Sequence, residues 1–187
     1  MGSAGGYIVN FASIILGLAL ADMLIDFDRL LRFRKQVRWY PLPFIASAFV
    51  LMVLIAAWWE LYFLASVRTI TVAYFLPYFG KLVLIFLLAA AVLPSEWQDR
   101  IDLKAYYFDN RVRMFGTWWL LALLILTMPI LQGEPFQWPS LFSARGLVAM
   151  PVLAFTRRPL IHWILLPTLF VLFTWQWLDI AIGTGSS

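Results

Sequence analysis

Apolar runs of about twenty residues restrict this chain more than any other feature. They cover Tyr7 to Ile25, Leu42 to Phe63, Thr71 to Leu93, Met114 to Leu131 and Leu160 to Ile182. A helix rises about 1.5 Å per residue, so such a run matches the roughly 30 Å hydrocarbon core of a bilayer. A sixth run, Leu141 to Phe155, would reach only about 22 Å as a helix, so it is read as short, kinked at Pro151 or re-entrant. The chain has 63% hydrophobic and 13% charged residues, against roughly 45–50% and 25% in soluble domains. The expected fold is all-α: a polytopic integral membrane protein with six transmembrane helices in one domain over residues 1–187, the fifth short or re-entrant. Met1 to Gly6 carry no Lys or Arg, so the first run lacks the basic start of a cleavable signal and is expected to stay in the protein.

Orientation follows from the cations. Arg29, Arg32, Arg34, Lys35 and Arg38 lie between the first and second runs. Arg100, Lys104, Arg111 and Arg113 lie between the third and fourth, and Arg157 and Arg158 between the fifth and sixth. Those eleven fall on one side, and only Arg68 and Arg145 fall on the other. Cytoplasmic loops are enriched in Lys and Arg, so both termini are placed outside and the basic loops, 26–41 and 94–113, inside. If the fifth run failed to cross, the balance would weaken to nine against four. Trp and Tyr form two belts consistent with this arrangement, for example Trp58, Trp59, Tyr62 and Trp175 outside and Trp39, Tyr40, Trp118 and Trp163 inside.

Both larger basic loops carry structure of their own. Asp26/Arg29 and Asp28/Arg32 have helical spacing, so the first helix is expected to continue past its apolar run until Pro41 and Pro43 begin the next. Ser95 and Gln98 have capping-box spacing, and Trp97, Ile101, Ala105, Phe108 and Val112 recur at helical intervals. This predicts an amphipathic interfacial helix in the second cytoplasmic loop, apolar face on the bilayer, with Arg100, Lys104 and Arg111 near anionic lipid headgroups. The spacings between Arg38-Trp39, Arg113-Met114 and Arg158-Pro159 differ, so the basic loops do not mark an internal repeat.

Several chemistries find no support. The net charge of +4 and pI near 9.6 would suggest nucleic acid only on a solvated basic face, and here the cations sit between apolar runs. Cysteine is absent, which removes disulfides, thiolate nucleophiles and Cys-ligated metals. One histidine, His162, cannot by itself make a bis-His haem or His-rich metal site, although it can titrate near neutral pH. Serine-hydrolase, zinc-protease, Walker and dinucleotide motifs are missing, so no catalytic residue, cofactor or metal is assigned.

Lys81 is the leading candidate. A charge in mid-helix costs at least about 2.5 kcal/mol on insertion scales, so it must face protein, water or a partner. It is read either as the charged constriction of an ion or solute pathway, partnered by Glu60 or less easily by Asp22, or as a structural ion pair or a side chain snorkelling past Tyr78 and Tyr74. Asp22 and Asp26 are read either as a like-charge pair that binds a proton or cation or as part of a solvated salt-bridge cluster with Arg29 and Arg32 at the inner edge. Thr168, Gln176 and Asp179 share a stripe on the last helix that either lines a pathway or reflects backbone bonding and a helix end. Ser13, Gly17 and Ala21 have the small-xxx-small spacing of a helix-packing face, within the bundle or between protomers.

Small and Trp-rich, with Arg-rich inner loops, the chain resembles bacterial inner-membrane proteins, which implies that location. Two functions are carried forward. One is an oligomeric channel or transporter-like protein with Lys81, Glu60, Asp22, Gln176, Asp179 and His162 near its route. The other is a non-catalytic accessory, scaffold or signalling subunit that binds protein partners or anionic phospholipid. A membrane enzyme comes third.

Overall fold

The computed structural model describes residues 4–64, 71–95, 100–131 and 141–182, with side chains other than those of 4, 63, 141–144 and 178–182. Its helices are α1 (Ala4–Arg32), α2 (Pro41–Leu64), α3 (Val72–Val92), α4 (Leu103–Asp109), α5 (Arg111–Leu131), α6 (Leu141–Phe155) and α7 (Pro159–Ile182). Two two-residue strands, β1 (Val37–Arg38) and β2 (Ile101–Asp102), pair in parallel. Among the described residues the protein is all-α apart from this clip. Five helices, α1, α2, α3, α5 and α7, are long and apolar enough to cross a membrane; α6, with 15 residues, is shorter.

Local chemistry sets the helix ends. α2 and α7 open on Pro41 and Pro159, where proline's missing N–H has no intrahelical partner to lose. Thr71 caps α3, its Oγ1 accepting from Tyr74 N at 3.2 Å. At the other end of α3 the last carbonyls lack helical donors. The Tyr106 hydroxyl donates to Leu93 O at 2.7 Å, and Asn110 Nδ2 to Ala91 O at 2.6 Å. α1 does continue to Arg32, with Arg29–Asp26 and Arg32–Asp28 ion pairs of 3.2 and 2.9 Å along its last turns.

α2, α3, α5, α6 and α7 touch in that order and close back on α2, making a ring of five; α1 packs outside it against α2 and α3. At one end the basic loops meet. Arg38 joins Asp102 at 3.2 Å, Arg29 reaches Ser95 O at 3.5 Å, and His162 links α7 to α4 through Tyr107 and to Thr156 after α6. We call this the basic end; the N-terminus of α1 and the C-terminus of α2 mark the far end.

Two expectations need correction. The loop helix does not start at Ser95: β pairing holds Ile101 and Asp102 extended, so α4 begins at Leu103, with Asp102 accepting from Lys104 N and Ala105 N at 2.9 and 3.1 Å. Trp97 and Gln98 lie outside the described residues. Nor does its apolar side rest on lipid, because Leu103 and Tyr107 are buried in the bundle and Tyr107 and Phe108 pack on His162.

Candidate functional site

Inside the five-helix ring lies a cavity of about 220 Å³, the volume of roughly seven water molecules. Glycines let its walls approach. Gly80 on α3 comes against Leu124 of α5, where an added Cβ would stand 3.4 Å from Leu124 Cδ2, and a Cβ on Gly146 of α6 would lie 3.6 Å from Ala122 Cβ. A third wall contact repairs a proline defect. Pro151 has no N–H for the carbonyl of Leu147, four residues earlier, and Trp119 Nε1 of α5 donates to that carbonyl at 3.2 Å.

The lining is apolar except at one level. Lys81 on α3 and Glu60 on α2 form an ion pair, and Gln176 and Trp177 on α7 line the cavity with them. Lys81 lies nine residues into α3, about 14 Å along its axis, and Glu60 lies one turn from the end of α2. The two partners differ in their surroundings: the Lys81 side chain is 9% exposed and that of Glu60 43%. The ammonium also lies 5.8 Å from the centroid of the buried Tyr78 ring, within cation–π range. Burying a charge is costly unless it is paired and bonded. Glu60 and Tyr78 supply that compensation, so Lys81 stays inside and does not extend past Tyr78 and Tyr74.

Toward the basic end the cavity stops at an aromatic floor. Phe49 is packed 4.4 Å from Trp118 and 5.3 Å from Phe173, ring centroid to centroid, and all three are buried. Beyond it Tyr107, Phe108 and Phe115 surround the buried ring of His162. His162 Nε2 lies 2.9 Å from Thr156 O, and a carbonyl only accepts, so that nitrogen carries the proton. In the neutral ring Nδ1 then accepts from the Tyr107 hydroxyl, 3.0 Å away. Burial pushes the Tyr107 phenol well above its ordinary range and that of Tyr106 up to about 12, while the backbone N–H of Ala105, followed by Lys104 N–H and Arg38, holds the Asp102 carboxyl low.

The residues singled out in the sequence therefore separate. Lys81, Glu60 and Gln176 come together at the cavity. Asp22 is on α1, outside the ring and about 10 Å nearer the basic end than Lys81, judged from the level at which Phe11 meets Phe75 and Phe79. His162 belongs to the basic-end cluster. Thr168 faces outward and donates to its own helix at Ile164 O, 2.6 Å away, and the side chain of Asp179 lies outside the described residues. Asp26 is buried and paired with Arg29. Ser13 is half-buried and Gly17 and Ala21 are exposed, with open space beside Gly17; the buried face of α1 is Ala12, Leu16, Ala19 and Met23. Arg100 and Lys104 are exposed, Lys104 lying 5.9 Å over the Tyr40 ring, whereas Arg111 turns back to donate to Phe108 O.

The floor residues Phe49, Trp118 and Phe173 were missed, as was Trp177. Trp118 reads as belt material because a helix of such uniform apolarity shows no inward face in its sequence.

The fold and cavity define a class: an all-α protein of membrane-length helices enclosing a small, mostly apolar cavity with a half-buried ion pair. No protein-family model, curated protein or solved structure matches the chain.

Proposed function

We propose that this is a six-span integral membrane protein of the bacterial plasma membrane, with its basic end in the cytoplasm. It binds a small apolar or amphipathic solute in the ring cavity from the opposite side, as a carrier would. The observation that carries the reading is the Lys81–Glu60 pair opening on a mostly apolar cavity. A purely structural helix bundle gains little from such a pair, since a buried ion pair is often no more stabilising than apolar residues of the same volume. An open channel along this route is disfavoured within one chain, because Phe49, Trp118 and Phe173 floor the cavity. Passage would require those rings to move, which is the behaviour of a gated carrier.

The chain has no cysteine, so a single introduced thiol reports without background. Ala57 lines the cavity about one turn below Glu60. In oriented vesicles Ala57→Cys is expected to react with a small impermeant methanethiosulfonate from the side opposite the basic loops, and at least tenfold more slowly from the basic side. Equal reaction from both sides would make the route a pore, and no reaction from either would make the cavity a sealed packing void.

The uncovered Gly17 face of α1, outside the ring, favours a second reading, in which α1 docks a partner or second copy and the protein acts as an accessory or scaffold subunit.

A further inference from the structure

We propose that the cavity takes a small amphiphile with a single anionic oxygen headgroup, which replaces Glu60 on Lys81 and lays a short apolar tail over Phe49 and Trp118. The inference rests on the solute-binding reading above and names its ligand class.

Three observations point to this chemistry. First, the two members of the ion pair are not equally committed. Lys81 is enclosed, whereas Glu60 stands near the end of α2 with almost half of its side chain exposed, so the carboxylate has room to swing outward and the ammonium does not. Glu60 thus occupies the seat of an exchangeable anion. Second, the remaining polar groups of the lining are rich in donors. The Gln176 amide and the indole N–H of Trp177 have no hydrogen-bond acceptor among the described residues, and both side chains line the cavity. With Glu60 displaced, the lining offers one cation and these N–H groups to incoming oxygen, and it repels a cationic head. Third, the wall between this level and the floor is apolar, from Val53 and Ala57 to Ile85 and Leu121. A volume of about 220 Å³ matches a tail of roughly octyl size better than the long chains of membrane phospholipids.

Carboxylate and phosphate-monoester heads share the required chemistry, and tail length separates a free amphiphile from a membrane lipid. The test is calorimetric titration of the full chain in nanodiscs, corrected against empty discs, with octanoate, octyl phosphate, octanol, octylammonium and hexadecanoate. Octanoate or octyl phosphate is expected to bind saturably at least tenfold tighter than octanol, with no saturable binding of octylammonium or hexadecanoate. Glu60→Gln removes the resident counter-ion and is expected to tighten octanoate about tenfold; Lys81→Met is expected to erase the preference for anion over alcohol. Glu60→Gln keeps the test decisive if Lys81→Met fails to fold.

Octylammonium binding as tightly as octanoate, or Glu60→Gln leaving octanoate affinity unchanged, overturns the ligand class. Preferential binding of hexadecanoate assigns the seat to a membrane lipid and overturns the short-tail assignment. If no probe binds, the proposal fails, and the Ala57→Cys labelling shows separately whether the solute-binding reading fails with it.

Discussion

The two ends of the helical ring solve opposite problems. At the basic end most polar groups are matched to partners, the buried Arg111 Nε being an exception among the described residues: Tyr106 and Asn110 close the last carbonyls of α3, His162 has a partner on each ring nitrogen, and β1 and β2 clip two loops together. Buried polar groups left unpaired cost about 1–3 kcal/mol each, so a satisfied network favours one arrangement. In the half nearer the far end, the ring encloses space, Glu60 is partly in the open, and Gln176 and Trp177, whose N–H groups have no acceptor among the described residues, line the cavity. An unfilled volume and unpaired donors are poor packing but good preparation for a ligand. The Phe49–Trp118–Phe173 layer separates the two regimes.

Removing that layer should break the contrast most severely. Phe49→Ala deletes a fully buried ring and is expected to cost about 3–5 kcal/mol, by analogy with core aromatic truncations. It would also join the cavity to the basic-end cluster, so Ala57→Cys in that background should become reactive from both sides. Retained one-sided labelling would mean that a deeper layer, around Phe115 and His162, is the true floor. Tyr107→Phe should have the next largest effect: it leaves the buried Nδ1 of His162 without its donor, which costs about 1–3 kcal/mol, with no change in labelling of the cavity. Thermal unfolding in detergent reads both variants.

Much of this contrast can be read in the sequence, and the part that cannot has a physical reason. Uncharged stretches specify membrane-length helices, and the cations specify which loops gather at one end, because both depend on composition along the chain. Lys81 and Glu60 stand out because charge in an apolar helix is rare and needs a partner. Which face of such a helix turns inward is a different matter. In α2 and α7 apolar residues occur all round, so no 3.6-residue stripe marks Phe49 or Phe173 as interior. The Asp102 cap was hidden for another reason: Ser95–Gln98 offered a competing start, and only the pairing of Val37 with Ile101, 64 residues apart in sequence, decides against it.

That clip gives a smaller, pH-dependent prediction. Asp102 is held below the ordinary carboxylate range mainly by the Ala105 backbone N–H, with help from Lys104 N–H and Arg38. A lowered folded-state pKa means its contribution is complete above the ordinary carboxylate value and fades as pH falls through the lowered one. Asp102→Ala should remove this acid dependence and cost about 1 kcal/mol, the usual worth of an N-cap. Tyr106 and Tyr107 act at the other extreme: their raised values mean that the unfolded chain ionises first, so stability should fall as pH climbs from about 10 toward 12. Hydrogen exchange should show the 101–110 segment loosening before the Lys81 region in both limbs. Simultaneous loosening would show that clip and ring unfold as one unit.

The smallest effect on folding is expected at Gly17. Nothing lies within 4 Å of a Cβ built there, so Gly17→Leu should change unfolding by no more than about 0.5 kcal/mol, the usual range for substitutions away from packed contacts. Its consequence would appear in assembly. A bare glycine on a helix outside the ring allows a second backbone to approach closely, and an isobutyl group at that point blocks the approach. Light scattering in mild detergent separates the possibilities. An oligomer that dissociates in Gly17→Leu assigns α1 to assembly and leaves the cavity to a ligand, and an oligomer that persists removes the accessory-subunit reading from this face.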